Sequence, residues 1–486
     1  ARGLPSSATA HYGAASQPIV TAIEYLRDGL VASVTYGDGA GGARDPTVSR
    51  TTYDVRRRPV RMSTQRAARP GAEPQTLGAV RTVVDQQLVW DAASNLTAVV
   101  DHRDAAEWPA GHLPQSVHIR HDALYRVVNA EYDYTQLSGA RTPSDLGTDW
   151  RTRFTAASTQ DPMRTRPAPA AVAAPADRVV SLTWSWDYLA NQTEWTDEQS
   201  AFYERSLGRI DNGTDLADAT RPSALYLATN LDGGDGANAG WLEADYGHSG
   251  NLEAMTVHAR CTATVLPPAG GTLSTRRTWL RDNTTCALEQ HYVYRYDELN
   301  RLAEARRYDR DGAGTWQLQV RQRSRYDAAN QRVVKQTLDQ SSCGDGTGMT
   351  PCERVALYPY PGDFERRGLR RGFGEYLADP VLGTETQYVL AGARMVVRHV
   401  AGESDFDRDE RLVVPLADLI QTTSAAFDVR TGALTEASTY YPNGARETFL
   451  ADDDALVTPE PMGFTGKEAD EEVGLVYFGE RYLVPR

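Results

Sequence analysis

The sequence predicts an all-β protein: a long, repetitive, mostly antiparallel sheet of hairpins with little helix. Three observations predict it: an aromatic ring followed by Asp recurs along the chain, apolar and polar residues alternate at period two after it, and turn formers cluster between copies. "YDELNRLAEARRYD", Tyr296 to Asp309, shows the pattern in miniature, starting and ending on the same Tyr-Asp pair.

The phrase recurs at Tyr53-Asp54, Trp90-Asp91, His121-Asp122, Trp186-Asp187, Tyr296-Asp297 and Tyr326-Asp327, with a weaker echo at Phe427. Copies lie roughly 30 to 37 residues apart or about double that. "DYGHSGNLEAMTVHARC", from Asp245, fits the same slot with the pair inverted. Each residue type has a physical task. The ring ends a strand and offers an apolar face to the next copy, and such cross-strand aromatic pairs contribute about 0.2 to 1 kcal/mol. The Asp accepts a hydrogen bond from the backbone two residues on, closing an Asx turn. Asn95, Asn300 or Gly432 takes a left-handed backbone at low cost and reverses the chain.

Each turn leads into a strand. In "TWQLQVRQRSRYD", Trp316, Leu318 and Val320 alternate with Gln317, Gln319 and Arg321. Val127 and the stretch from Ala130 to Tyr134 lack helical periodicity. A unit of this length cannot bury its own apolar face, so copies pair side by side and the sheet grows with copy number. Period and composition leave open whether it rolls into a shell or stacks as a solenoid. Arg164 to Arg178, rich in Ala and Pro, reads as an exposed loop, and "DLADATRP" after Thr214 as one helical turn.

Composition excludes several classes. At 486 residues the chain suits several domains or one large repetitive body, and no apolar run approaches the span of a bilayer. The net charge of -14 argues against nucleic acid as a partner. Arg56, Arg57, Arg58 and Arg61 form a local basic patch, read as a solvated face. Lys335 and Lys467 are the only lysines, so positive charge rests on arginine, which favours bidentate and stacked contacts. The chain opens on Ala1 without an initiator Met or a signal pattern and reads as a piece of something longer.

The cysteines fall into two sequence-local pairs, Cys261 with Cys286 and Cys343 with Cys352, both candidate disulfides. A bond across the second pair adds roughly 2 to 3 kcal/mol in the chain-entropy model and suits an oxidising compartment, while buried thiols remain the alternative. "DFDRDE", Asp405 to Glu410, and "DRDGAG", Asp309 to Gly314, alternate carboxylates without completing a calcium loop, and read as solvated turns. The chain has no HExxH, GxSxG, GxxxxGK[ST] or strand-borne GxGxxG. Neither an enzyme nor a metal or cofactor site is expected.

The ring-Asp phrase at this spacing resembles the YD repeats of bacterial Rhs proteins, which also occur in C components of insecticidal toxin complexes and in animal teneurins. "GFTGKEADEEVGLVYFGERYLVP", Gly463 to Pro485, resembles the Rhs-associated core. It matches at Phe464, Thr465, Gly466, Lys467, Glu468, Asp470, Glu472, Gly474, Leu475, Tyr477, Phe478, Gly479, Arg481, Tyr482 and Pro485. "YYPNGARET" at Tyr440 resembles the segment upstream of that core. The chain departs from the pattern at Val476, Glu480, Leu483 and Val484, where the family tends to have Tyr, Ala, Tyr and Asp.

The resemblance implies a repeat shell over residues 1 to 435 and a core from 436 to 486 that stops before the aspartates performing self-cleavage in the family. It implies a hollow cocoon enclosing a toxin cargo in the same polypeptide, secreted or at a bacterial surface, with a secretion-apparatus or toxin-complex protein as a further partner. A repeat adhesin engaging glycans or a protein is the alternative, and a self-cleaving protease completed downstream a third reading compatible with the shell. On the residues alone, the glycines of the core block permit tight turns, and Phe464, Leu475, Tyr477, Phe478 and Tyr482 anchor a plug. Lys467 with Glu468, and Glu480 with Arg481, are candidate pairs of small worth at a surface, so packing rather than charge is expected to hold the block.

Overall fold

Hairpin follows hairpin in the computed structural model of the chain. It describes residues 3–484 apart from 13–14, 40–41, 43, 69, 110–111, 113, 135–177, 199, 201, 204, 232–238, 264–270, 341–351, 373–374, 379–382, 390–392, 400–407, 452–460 and 480. Among the described residues 28 strands form one sheet, which nearly closes into a barrel-like shell. Each strand pairs antiparallel with the one before it in the chain. The exception is a branch at Phe364–Gly372, which pairs with both Glu375–Ala378 and Thr384–Val389. The loop expected from Arg164 lies outside the described residues up to Arg178, as do Asp405 to Asp407. No described helix is long and apolar enough to cross a membrane.

The turns explain why this sequence makes hairpins at these places. Asp297 Oδ1 accepts the N–H of Leu299 at 3.0 Å and of Arg301 at 2.9 Å, while Oδ2 takes the Arg301 guanidinium at 2.7 Å. Asp54, Asp122, Asp187 and Asp327 accept the same two backbone groups of their own turns, and Asp91 takes the N–H and side-chain amide of Asn95. The expected two-residue Asx bond is therefore present, joined by a second bond four residues on. The left-handed position is the third after Asp, held by Arg57, Ser94, Tyr125, Ala190, Asn300 and Asn330. Asn300 matches expectation, but Ser94 rather than Asn95 takes that conformation, because Asn95 is needed as the side-chain partner of Asp91. Non-glycine residues bear the cost of about 1 to 2 kcal/mol because the carboxylate over-determines the turn.

Copies are also fastened to each other. At each ring the pairing register slips, so that the ring faces the residue six positions on, as Tyr296 faces Leu302. The ring's polar atom then donates to the corresponding carbonyl of the previous copy. Trp90 Nε1 reaches Pro59 O, Trp186 Nε1 reaches Val127 O, and Tyr326 Oη reaches Leu302 O, each at 2.8 Å. Arg58, Arg126 and Arg301 lean the other way, donating to the backbone oxygens of Asp91, Asp187 and Asp327. Their guanidiniums lie over the next ring, at 5.6 Å from Trp90, 5.9 Å from Trp186 and 5.0 Å from Tyr326. His121 stands in the ring position before Asp122.

The same turn appears where the sequence pattern is weaker. Asp311 and Asp418 accept the N–H groups two and four residues on, so the "DRDGAG" stretch is a turn of this kind. Tyr246 is the ring of the copy read as inverted, bonding to Leu225 O at 3.0 Å, and Gly247 fills the Asp position. At Phe427 the turn is one residue longer, closed by Ala433 with Gly432 left-handed. The basic patch is paired: Arg57 with Asp28, Arg58 with Asp54 and Arg61 with Asp85.

The two ends of the sheet meet. Ile19, Val20 and Trp108 share a core with Val414, Phe427 and Leu434, and the Tyr36 ring meets Phe427 edge-on at 5.2 Å. The buried Arg178–Glu447 pair, 3.2 Å, ties the strand Arg446–Ala451 to the chain entering Ser181–Trp186 in the middle of the sheet. Leu434–Tyr440 and Arg446–Ala451 stay within the large sheet, so the boundary expected at residue 436 falls inside one of its strands. "DLADATRP" forms turns rather than a helical one. Among the described residues the α-helix lies instead at Leu273–Asn283, where Thr272 and Thr275 cap each other's backbone and Leu280 packs on Leu227 and Trp241. The strands flanking it carry the Cys261–Cys286 disulfide. Cys343 lies outside the described residues, and so does the Cys352 side chain.

Replacing Asp297 with Ala is expected to lower stability by about 1 to 2 kcal/mol, through lost backbone partners and a left-handed Asn300 without support. Faster amide exchange at Leu299 and Arg301 checks it. Cys261→Ala with Cys286→Ala is expected to cost roughly 3 kcal/mol from loop closure, read as a lower thermal midpoint of the purified chain.

Candidate functional site

The C-terminal block builds a small sheet of its own and sits on a face of the large one. Its strands are Glu468–Asp470, Leu475–Tyr477 and Tyr482–Leu483, antiparallel in chain order. The links are short. Gly479, at φ +93°, turns the chain between the last two strands, where Phe478 N–H bonds to Arg481 O at 2.8 Å. Before the first strand, Phe464 lies against Tyr440 at 6.3 Å, and Thr465 N–H bonds to the Thr422 hydroxyl. Gly444 must be glycine here, since a Cβ would come within 2.7 Å of the Phe464 ring.

Apolar contact supplies one half of the docking. Val473 and Leu475 join the core made by Tyr294, Ala305 and Val320 of the large sheet. Tyr482 Oη lies 2.9 Å from Tyr326 Oη, so a ring of the repeat phrase meets a ring of the terminal block. Tyr477 Oη accepts the Arg332 N–H at 3.2 Å, and the Arg332 guanidinium lies 4.2 Å from the Tyr477 ring.

Charge supplies the other half. Glu468 and Asp470 project from one face of their strand into a cluster of Arg332, Lys335 and Arg367, all three cations on the large sheet. Arg332 reaches Asp470 Oδ2 and Glu468 Oε2 at 2.5 Å each, and Lys335 Nζ bridges the two carboxylates at 2.9 and 3.0 Å. Arg367 spans Glu468 and Glu365 at 2.7 Å each. Tyr358 Oη donates to Glu468, and Gln322 to Asp470. Three cations thus face three carboxylates with almost no exposure. Burial alone would raise the Glu468 pKa, but Arg332, Arg367 and Lys335 outweigh it and hold it well below the usual range. Asp470 is likewise lowered, by Arg332 and Lys335 against burial and the neighbouring Glu468. Lys335 is raised: Asp470 and Glu468 overcome its desolvation.

Several sequence expectations change here. Lys467 does not pair with Glu468; its ammonium lies 5.9 Å over the Phe478 ring. Glu480 lies outside the described residues, and Arg481 is exposed. Phe478 is 37% exposed, whereas Leu475 is buried in the core under the block and the Tyr477 and Tyr482 rings lie 5.1 Å apart. Gly466 and Gly474 turn the chain at positive φ. Charge as well as packing holds the block, because the partners of its carboxylates come from distant strands. Arg332, Lys335, Tyr358 and Arg367 escaped sequence reasoning. One signal was present: Lys335 is one of two lysines and sits on a strand whose neighbouring positions alternate.

Arg332→Met is expected to leave Glu468 and Asp470 buried with too few partners, costing about 3 to 5 kcal/mol, and to free the block for limited proteolysis while the shell stays folded. Because the folded-state pKa values of Glu468 and Asp470 are depressed, their stabilisation is fully present above the unfolded values near 4 and is lost as pH falls through the folded ones. Protease release of the block should therefore stay flat between about pH 5 and 8 and rise only below about pH 4.

No protein-family model and no curated protein sequence matches the chain. Solved structures do. Over 99% of its length the chain superposes on the crystal structure of TcdB2-TccC3-Cdc42 with a TM-score of 0.57 at 14% identity. The crystal structure of TcdB2-TccC3 (TM-score 0.57, 15% identity, 98% of this chain) is similar too. So is the Photorhabdus luminescens Tc holotoxin pore carrying a TccC3 mutation (0.57, 15%, 97%). The chain spans only 17 to 18% of the length of these chains. The fold of this chain is one found in toxin-complex chains.

Proposed function

We propose that the chain is a wall segment of an Rhs-type encapsulating shell, which encloses a toxin domain encoded after Arg486 and delivers it. One observation carries this reading: a repetitive sheet that nearly closes has its C-terminal block fastened to its face by a buried charge cluster. Such fastening holds the exit of the polypeptide at a defined place on the wall, as a tethered cargo requires. The fold shared with TcdB2-TccC3 supports it, and suggests a toxin-complex chain as partner. The Cys261–Cys286 disulfide suits a protein that works outside the producing cell. In this reading the chain is scaffold rather than enzyme, and self-cleavage draws on aspartates C-terminal to Arg486.

The test is to express the chain with its natural coding continuation past Arg486 and treat the native particle with protease. The expected outcome is a continuation that stays with the particle and resists digestion until the shell is denatured. Digestion at equal rates before and after denaturation would overturn the proposal.

A further inference from the structure

The face of the large sheet that the terminal block leaves uncovered carries a row of arginines. Period two fixes which face each residue takes. Val320 packs under the block and Gln322 donates to Asp470, so Arg321, Arg323 and Arg325 of the same strand point the other way. Tyr294 and Ala305 lie in that same core, which turns Arg295, Glu304 and Arg306 outward as well. Register then sets Arg295 and Arg323 on either side of Glu304 and puts Arg306 directly opposite Arg321. Two adjoining depressions open here. The larger, about 300 Å³, lies between Arg295, Arg323 and Arg325; the smaller, about 60 Å³, lies between Arg321, Arg323 and Glu353, and Gln336 borders both.

We propose that this groove binds a soluble ligand carrying two phosphate groups. The first ground is charge. Five guanidiniums face the carboxylates of Glu304 and Glu353, an excess of three in a chain whose net charge is -14. Two phosphate groups carry about three to four negative charges. The second ground is pairing. Glu304 is already committed to Arg306 at 2.5 Å and Arg323 at 2.7 Å, and Glu353 accepts from Gln336. Among the described residues no carboxylate pairs with Arg295, Arg321 or Arg325. Further along the same face the pattern differs, for in the cleft beside the helix Leu273–Asn283 Arg310 is paired with Glu289.

The third ground is a like-charge contact. Arg306 and Arg321 stand opposite each other on neighbouring strands, an arrangement that repels unless an anion lies between. Phosphate oxygens suit it, since each guanidinium fork takes two of them. The surroundings select the source of the phosphate. None of the residues lining either depression is an exposed large hydrophobic, so a lipid surface gains no apolar anchor. A long polyanion meets the acidic remainder of the chain, whereas a small one feels only charges within about 10 Å. This inference does not depend on the shell proposal, and each stands or falls alone.

The experiment titrates the full chain with inorganic pyrophosphate by calorimetry at low ionic strength, where surface charge is least screened. Saturable binding is expected. Arg321→Gln and Arg325→Gln are each expected to weaken it about tenfold, one charge-assisted hydrogen bond apiece. The ligand-free thermal midpoint stays unchanged, because neither variant strips a carboxylate of its partner. Arg295→Gln serves in the same way should either fail to fold. Arg27→Gln, an exposed arginine in the turn after Ala15–Tyr25, is expected to leave affinity as it was. Vesicles of phosphatidylcholine with phosphatidic acid are expected not to co-sediment with the chain. No saturable binding of pyrophosphate, equal weakening by Arg27→Gln, or vesicle binding that Arg321→Gln abolishes overturns the proposal, the last by giving the site to a lipid headgroup.

Discussion

Everything in this molecule rests on a carboxylate that accepts two backbone N–H groups inside a five-residue turn. The bonds of Asp297 to Leu299 and Arg301 hold Asn300 left-handed, and that conformation turns each strand back on the last. The register slip at the ring follows from the turn, and it swings the ring to where the previous copy offers a carbonyl. Arg301 does two jobs at once, neutralising its own Asp and gripping the next turn. Local geometry thus becomes long-range order, because the group that closes one hairpin also positions the next. Guanidinium suits this better than ammonium, since it stacks on a ring while its fork serves two acceptors.

Growth by copying leaves one problem, a sheet with free ends and two faces. The ends are brought together by the core of Ile19, Phe427 and Leu434. One face is covered at Tyr326 and Arg332 by the terminal block. Burying six charges there is not a cheap route to stability, and apolar substitutes often do as well. What balanced charge gives is a single permitted seat: a block shifted by one residue would leave Glu468 or Asp470 facing no cation. Register is thereby specified for a small sheet whose apolar contacts alone would tolerate sliding.

The opposite face carries a different kind of polarity. In the cleft beside the helix, Glu243 pairs with Arg277 and Arg281, and Glu289 with His258 and Arg310. The Cys261–Cys286 bond and the helix it brackets hold that wall in place. One sheet therefore presents a closed polar seam on one side and an open polar cleft on the other, and the alternation of a β-strand allows both.

The hairpins are written into the local sequence. Asp, the turn residues and the ring lie within six positions, so their bonds form wherever the phrase is written, and alternation after it specifies strands. The copy at Asp418 escaped the pattern, and the one at Tyr246-Gly247 was legible only with its pair inverted, because backbone geometry persists when one side chain is replaced. The helix was hidden too, since its cap is Thr272 with Thr275 and not the usual acidic partner. How the sheet bends round, which residues of the block anchor it, and which cations neutralise Glu468 and Asp470 are settled by tertiary packing. Those cations lie more than a hundred residues away in sequence. No local pattern encodes such a pairing; it exists only once curvature of the sheet has brought the chain's last strands over Arg332, Lys335 and Arg367.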